Sequence, residues 1–157
     1  MRLKTLLPLT LAETITNEVL RLGREEDMHP LTVAVLDNGG HPVVVKREDG
    51  CGIMRADIAI GKAWGALGMG ISSRLIRDRL GDRPSFQAAL AVASGGRLLP
   101  VSGGVLINNS EGETIGAVGV SGDTSDKDEY CAIQAVHAAG LSPDPTEPAA
   151  GWRESWL

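Results

Sequence analysis

The chain has 157 residues, 20 of them glycine, and only five that are aromatic. A net charge of −5 counts against nucleic acid and anionic membrane surfaces as partners, and so few aromatics count against base-stacking platforms. The length suits one domain, and 43% hydrophobic residues suffice for a core, which excludes a disordered tract.

The first apolar positions, Leu11, Ile15, Val19 and Leu22, have helical spacing, and Gly23 reads as the helix end. Arg2 and Lys4 precede a short apolar run, as in a signal peptide, but Thr10-Leu11-Ala12-Glu13 reads better as a capping box. The leucines then open a core helix, and a cytoplasmic protein is expected. No apolar run approaches the roughly 20 residues that span a bilayer. Leu31–Leu36 reads as a buried strand, followed by Asp37-Asn38-Gly39-Gly40 and by Pro42–Val45, the clearest hairpin in the chain. Ile53–Gly70 reads as a helix despite Gly61, Gly65 and Gly68. Each costs about 1 kcal/mol against alanine, so something should pack close to this helix. Ser72 or Ser73 caps a second helix ending at Gly81, and Pro84–Ala93 forms a third. Val105–Ile107 and Thr114–Val120 form another hairpin around Asn109–Gly112. A last helix runs from Asp126 to Ala139, started by Ser125 or Asp126. A domain over residues 1–140 and an irregular tail over 141–157, with three prolines and two tryptophans, are expected. Antiparallel hairpins broken by helices argue an α+β fold.

Charge is uneven. Seven basic and three acidic residues lie between Arg55 and Arg97, a local +4 that leaves −9 for the rest. That stretch either receives an anionic ligand or forms a solvated helix face. Cys51 and Cys131 form no CxxC, and neither has a local catalytic signature. The three histidines, His29, His41 and His137, have no metal-ligand spacing, so no protein metal site is expected, although one histidine suffices as an axial haem ligand.

Gly116-Ala117-Val118-Gly119-Val120-Ser121-Gly122 is the most unusual segment. Its spacing is not that of a dinucleotide fingerprint, and its glycines lie inside a strand. They either floor a flat pocket or admit a close helix. Asp123, Asp126, Asp128 and Glu129 then crowd a helix start, where they cap, bind a cation or act as acid or base. Lys62, on the glycine-rich helix, reaches a carboxylate or a ligand, or else lays its stem over apolar surface.

Val33–His41, Arg47-Glu48-Asp49-Gly50, Lys62-Ala63, Leu99–Val105 and Ile115–Gly122 resemble, in this order, the segments of GlcG/HbpS-like proteins. They are also similar to the C-terminal domain of PduO-type cobalamin adenosyltransferases. The resemblance covers residues 10–140. It implies a profilin-like antiparallel sheet of about five strands flanked by helices, and a homo-oligomer, a tetramer or octamer. It also implies haem or a corrinoid as ligand. The chain departs from the pattern at Gly65, where the family often has threonine, and lacks an N-terminal histidine used by some haem-binding relatives.

Two classes of function follow. A small-molecule-binding protein would use Arg47, Asp49, Gly103, Gly104, Gly119, Ser121, Gly122 and Asp128. An enzyme on a small carboxylate or hydroxy acid would use Lys62 and Glu129 as its acid–base groups, with Arg47 and Asp49 as further candidates. An accessory subunit without ligand is the third reading.

Overall fold

The computed structural model describes residues 4–157; Arg2 of the basic start lies outside them. Helix α1 (Leu9–Glu25) leads into strands β1 (Thr32–Asp37) and β2 (Pro42–Arg47). Helices α2 (Arg55–Met69), α3 (Ser73–Leu80) and α4 (Pro84–Ala93) follow. Strands β3 (Gly104–Asn108) and β4 (Thr114–Ser121), helix α5 (Ser125–Ala138), strand β5 (Ser142–Asp144) and a 3-10 turn (Trp152–Glu154) complete the chain. The strands form one antiparallel sheet in the order β2-β1-β4-β3-β5, the α+β architecture expected.

Alternation along the strands decides which helix each face receives. Val33, Val35, Val105, Ile107, Val118 and Val120 pack with residues of α1 and α5, among them Ile15, Val19, Ile133 and Val136. Leu36, Leu106 and Ala117 pack with Ala63 and Ala66 of α2 on the other face. β1 and β4 are central and covered on both sides, which is why their sequences are almost continuously apolar.

Helix ends depart from the reading in informative ways. Helix α1 starts after Pro8, with no side-chain cap, so the Thr10 capping box does not form. It also runs through Gly23. A Cβ there would lie 2.5 Å from Leu31 Cδ1, so this glycine admits the Leu31 side chain just before β1 rather than ending the helix. Ser72 caps α3 by accepting from Leu75 N at 3.4 Å, whereas α5 is capped by Thr124, one residue before the expected pair.

The irregular tail is corrected most. Ser142–Asp144 pairs with Leu106–Asn108 as the fifth strand. Pro143 is tolerated because β5 is an edge strand, where a missing N–H breaks no inner ladder. Beyond it, Trp152 stacks on Tyr130 with ring centroids 3.6 Å apart, and Arg153 pairs with Glu26 at 2.6 Å.

Candidate functional site

Lys62 and Asp128 come together. Lys62 projects from α2, is only 2% exposed, and donates from Nζ to Asp128 Oδ2 at 2.8 Å and to Val120 O at 2.9 Å. The other Asp128 oxygen accepts from Asp123 N at 3.2 Å. Burial pushes the Asp128 carboxyl up to about 6, against the downward pull of Lys62. The pair pins α2 to α5 past the end of β4. Gly103 makes room for it: a Cβ there would lie 2.9 Å from Lys62 Nζ, and its φ is +113°.

Glu129 has a different neighbour. It is fully buried, and Arg74 Nη1 lies 3.3 Å from its Oε2. Neither carboxylate oxygen makes a well-formed hydrogen bond among the described residues, although the Ala149 backbone lies near enough to favour the charged form. Burial pushes it up to about 7, while Arg74 pulls it down and Asp126 adds to the rise. The expected Lys62–Glu129 couple is therefore replaced by two couples, Lys62–Asp128 and Arg74–Glu129. None of the cavities described below is lined by any of these four residues.

The glycine strand is not a pocket floor. A Cβ at Gly119 would sit 1.9 Å from Ala59 O, and one at Gly104 would sit 2.2 Å from Lys62 O. The backbone of α2 fills that face. At Gly116 the obstruction is Leu36 O at 2.4 Å, and at Gly122 it is Pro30 O at 2.4 Å. Close helix approach, the alternative left open by the sequence, is what Gly119 and Gly104 serve, whereas Gly116 and Gly122 admit the neighbouring backbone at Leu36 and Pro30.

Open space lies instead along the loop between β2 and α2. A cavity of about 520 Å³ is lined by Arg47, Asp49, Arg24, Pro30 and Glu48, so the expected Arg47 and Asp49 do share a wall. Glu48 belongs to the scaffold there: it accepts from Leu31 N at 2.6 Å and pairs with Arg24 at 3.1 Å. A second cavity of about 270 Å³ is bordered by His29, Cys51, Arg55 and Gly122. Ser121 is buried behind it and accepts from Arg55 Nη1 at 3.2 Å. The third, about 380 Å³, is the apolar one. Ile58, Ile60 and Leu99 line it together with Met54, Asp57, Arg97 and the glycines 61, 95 and 96.

Sequence reasoning missed Met54, Ile58 and Leu99. The available signal was the Gly61 anomaly. A Cβ there would meet Leu99 Cδ1 at 2.8 Å and Arg97 O at 2.9 Å, so this helix glycine marks where the 95–99 loop crosses α2. Among the other basic residues of the middle stretch, Arg74 and Arg77 face the carboxylates Glu129 and Asp126, and Arg97 lies 4.1 Å over the Trp64 ring. Lys62, Arg74 and Arg77 are thus matched by carboxylates within the fold, whereas no carboxylate among the described residues pairs with Arg55 or Arg97. Both cysteines are free thiols; burial pushes Cys131 up beyond any ordinary thiol range. His41 is 80% exposed at the hairpin tip, and His137 Nε2 lies 3.0 Å from Thr146 O. No group of three metal-ligating side chains occurs among the described residues, and none of their helices is long and apolar enough to cross a membrane.

Residues 7–137 match the family model described as haem degrading protein HbpS-like. An uncharacterized 15.0 kDa protein from the dhaT-dhaS intergenic region of Citrobacter freundii is 31% identical over 109 residues, 68% of this chain and 74% of that protein. Among solved structures, a PduOC:heme complex superposes with a TM-score of 0.79 at 22% identity, covering 88% of this chain and 98% of that one. The Klebsiella pneumoniae protein ORFY does so with 0.78 at 26% identity, over 89% and 94%. HbpS follows with 0.72 at 25%, over 88% and 92%.

Proposed function

The chain belongs to the HbpS-like family, and on that premise we propose that it binds a flat, carboxylate-bearing small molecule, haem first, in the apolar cavity beside α2. The observation that carries this reading is the make-up of that cavity. A haem site needs apolar walls, a donor for the iron and cations for the propionates. Ile58, Ile60 and Leu99 supply the walls. Met54, 66% exposed at the rim, supplies a thioether. Arg97 supplies the cation, its guanidinium positioned by Nε donating to Ser94 O at 3.0 Å and by its stacking on Trp64. The apolar walls, the thioether and the guanidinium fit the group, and Asp57 in the first turn of α2 is the one lining side chain whose charge opposes the carboxylates.

Each has a separate task. Leu99 and Ile58 exclude water from one ring face. Gly95 and Gly96, with nothing within 4 Å of a Cβ position, leave the loop side open for entry. Arg97 orients the carboxylate edge. Bound haem would bring its own iron chemistry, tuned by the donor Met54 would offer and by the dryness of the site.

A corrinoid is the second ligand of similar shape. The reading includes a cytoplasmic homo-oligomer, a tetramer or octamer. The exposed Ile53 (84%) and Val92 (82%) support it, as apolar surface for a neighbouring copy to cover. Titration with haemin at micromolar concentration tests the main proposal. A shifted Soret band that saturates at one haem per chain is expected; an unshifted band contradicts it. The same titration with cobalamin separates the two ligands, and a native mass spectrum reads the copy number.

A further inference from the structure

The 270 Å³ cavity lies apart from the apolar one and has a different chemistry. Its wall carries Arg55, the first residue of α2, half-buried. Arg74 and Arg77 of the same basic stretch lie near carboxylates. Arg55 instead donates to the Ser121 hydroxyl, and no carboxylate among the described residues pairs with it. Asp128 feels its charge but is held by Lys62 at 2.8 Å. A half-buried guanidinium that faces a cavity without a counter-ion favours an anion there.

The same cavity presents a free thiol. Cys51 is half-buried, and its Sγ donates to Pro30 O at 3.2 Å and lies 3.1 Å from Thr32 Oγ1. Those contacts hold the sulfur at the cavity wall. Gly50 and Gly52 flank it and bring no side chain into the space, His29 adds a polar wall, and Pro30, Gly122 and Leu157 border the rest. Arginine and thiol thus share one small chamber, of a volume that suits a molecule of amino-acid size rather than a porphyrin.

We propose that this chamber is a second ligand site, which takes a small carboxylate-bearing disulfide with its carboxylate on Arg55 and its sulfur against Cys51. The reaction is thiol–disulfide exchange. The Cys51 proton leaves to solvent, and the thiolate attacks the nearer sulfur of the ligand. A new S–S bond joins Cys51 to that half, the ligand's own S–S bond breaks, and the other half departs as a thiolate with the electron pair. Oxidation state balances, because one disulfide replaces another.

The test compares two disulfide reagents on the reduced full chain, anionic dithiobis-nitrobenzoate and neutral dithiodipyridine. The ratio of their rates is referenced to a free cysteine derivative. One thiol should react, because Cys131 is fully buried. The anionic reagent should gain about tenfold over the reference ratio, the lower end of electrostatic steering. Arg55→Gln should return the ratio to the reference while the rate with the neutral reagent stays the same, which shows that the fold is intact. Cys51→Ser should remove the labelling. Equal ratios for wild type and Arg55→Gln would overturn the proposal, as would labelling that appears only on denaturation.

Discussion

Lys62 shows how one residue ties sequence to fold. A lysine on an apolar helix stretch must either reach water or find a carboxylate. At 2% exposure it has done the second, and the carboxylate is Asp128. Lys62→Met leaves that carboxylate buried and unpaired, so it should cost about 3–5 kcal/mol in urea unfolding. Adding Asp128→Leu should recover a large part of the loss; a double variant no more stable than the single one would contradict this. Glu129 gives the pH dependence. Its folded pKa, about 7, lies above the 4.5 of an ordinary glutamate, so the folded state holds the proton more tightly. The resulting stability is complete below about pH 4.5 and is lost as pH rises through about 7. Glu129→Gln cannot lose it. Between pH 5 and pH 8 the wild type should therefore lose stability relative to this variant, on the order of 3 kcal/mol. Parallel curves for the two proteins would refute the assignment. The sequence marked both residues as unusual, but their pairing depends on how α2, α3 and α5 meet across the sheet. No local spacing encodes that, which is why Lys62 was matched with the acid next to its real partner.

At the scale of elements, glycine is the main subject. The α2 glycines and the sheet glycines serve two different sides of one helix. Gly61 and Gly65 admit the 95–99 loop, and Gly119 and Gly104 admit the α2 backbone. Gly119 lies under Ala59 O, and Gly104 under Lys62 O, so helix and sheet touch through backbone. Gly119→Ala should destabilise by more than about 3 kcal/mol or prevent folding, because neither backbone can yield to a methyl group. Gly68 is the contrast. Its Cβ position meets only Trp64 at 3.6 Å, so Gly68→Ala should stabilise the chain by about 0.5–1 kcal/mol. Thermal melts of the two variants should move in opposite directions, and a stable Gly119→Ala would break the packing account. Periodicity exposed the helices and hairpins, with ends displaced by a few residues. The caps were less legible, since Thr10 carries the capping-box pattern with Glu13 and caps nothing, whereas Thr124, followed by Lys127, accepts a bond from its own helix.

At the scale of the whole molecule, the sheet is completed from the far end of the chain. Four strands were legible because each belongs to a hairpin. The fifth, Ser142–Asp144, is three residues long and contains Pro143, so pattern alone could not separate it from a turn. The tail after it is held by the Trp152–Tyr130 stack. Trp152→Ala should cost about 1–2 kcal/mol. An unchanged urea midpoint would show that the tail contributes nothing to stability.

The ligand site shares this long-range character. Arg47 and Asp49 sit together in sequence and line another cavity, whereas the apolar cavity joins Met54 and Ile58 to Leu99 across some forty residues. The most direct measurement is a haemin titration of the wild type beside Met54→Ala. Met54 is exposed, so its loss should leave the fold unchanged. The wild type should bind with a shifted Soret band. The variant should bind about tenfold more weakly with its band displaced, since it lacks the iron donor. Identical spectra and affinities for the two proteins, or no band shift in either, would contradict the account.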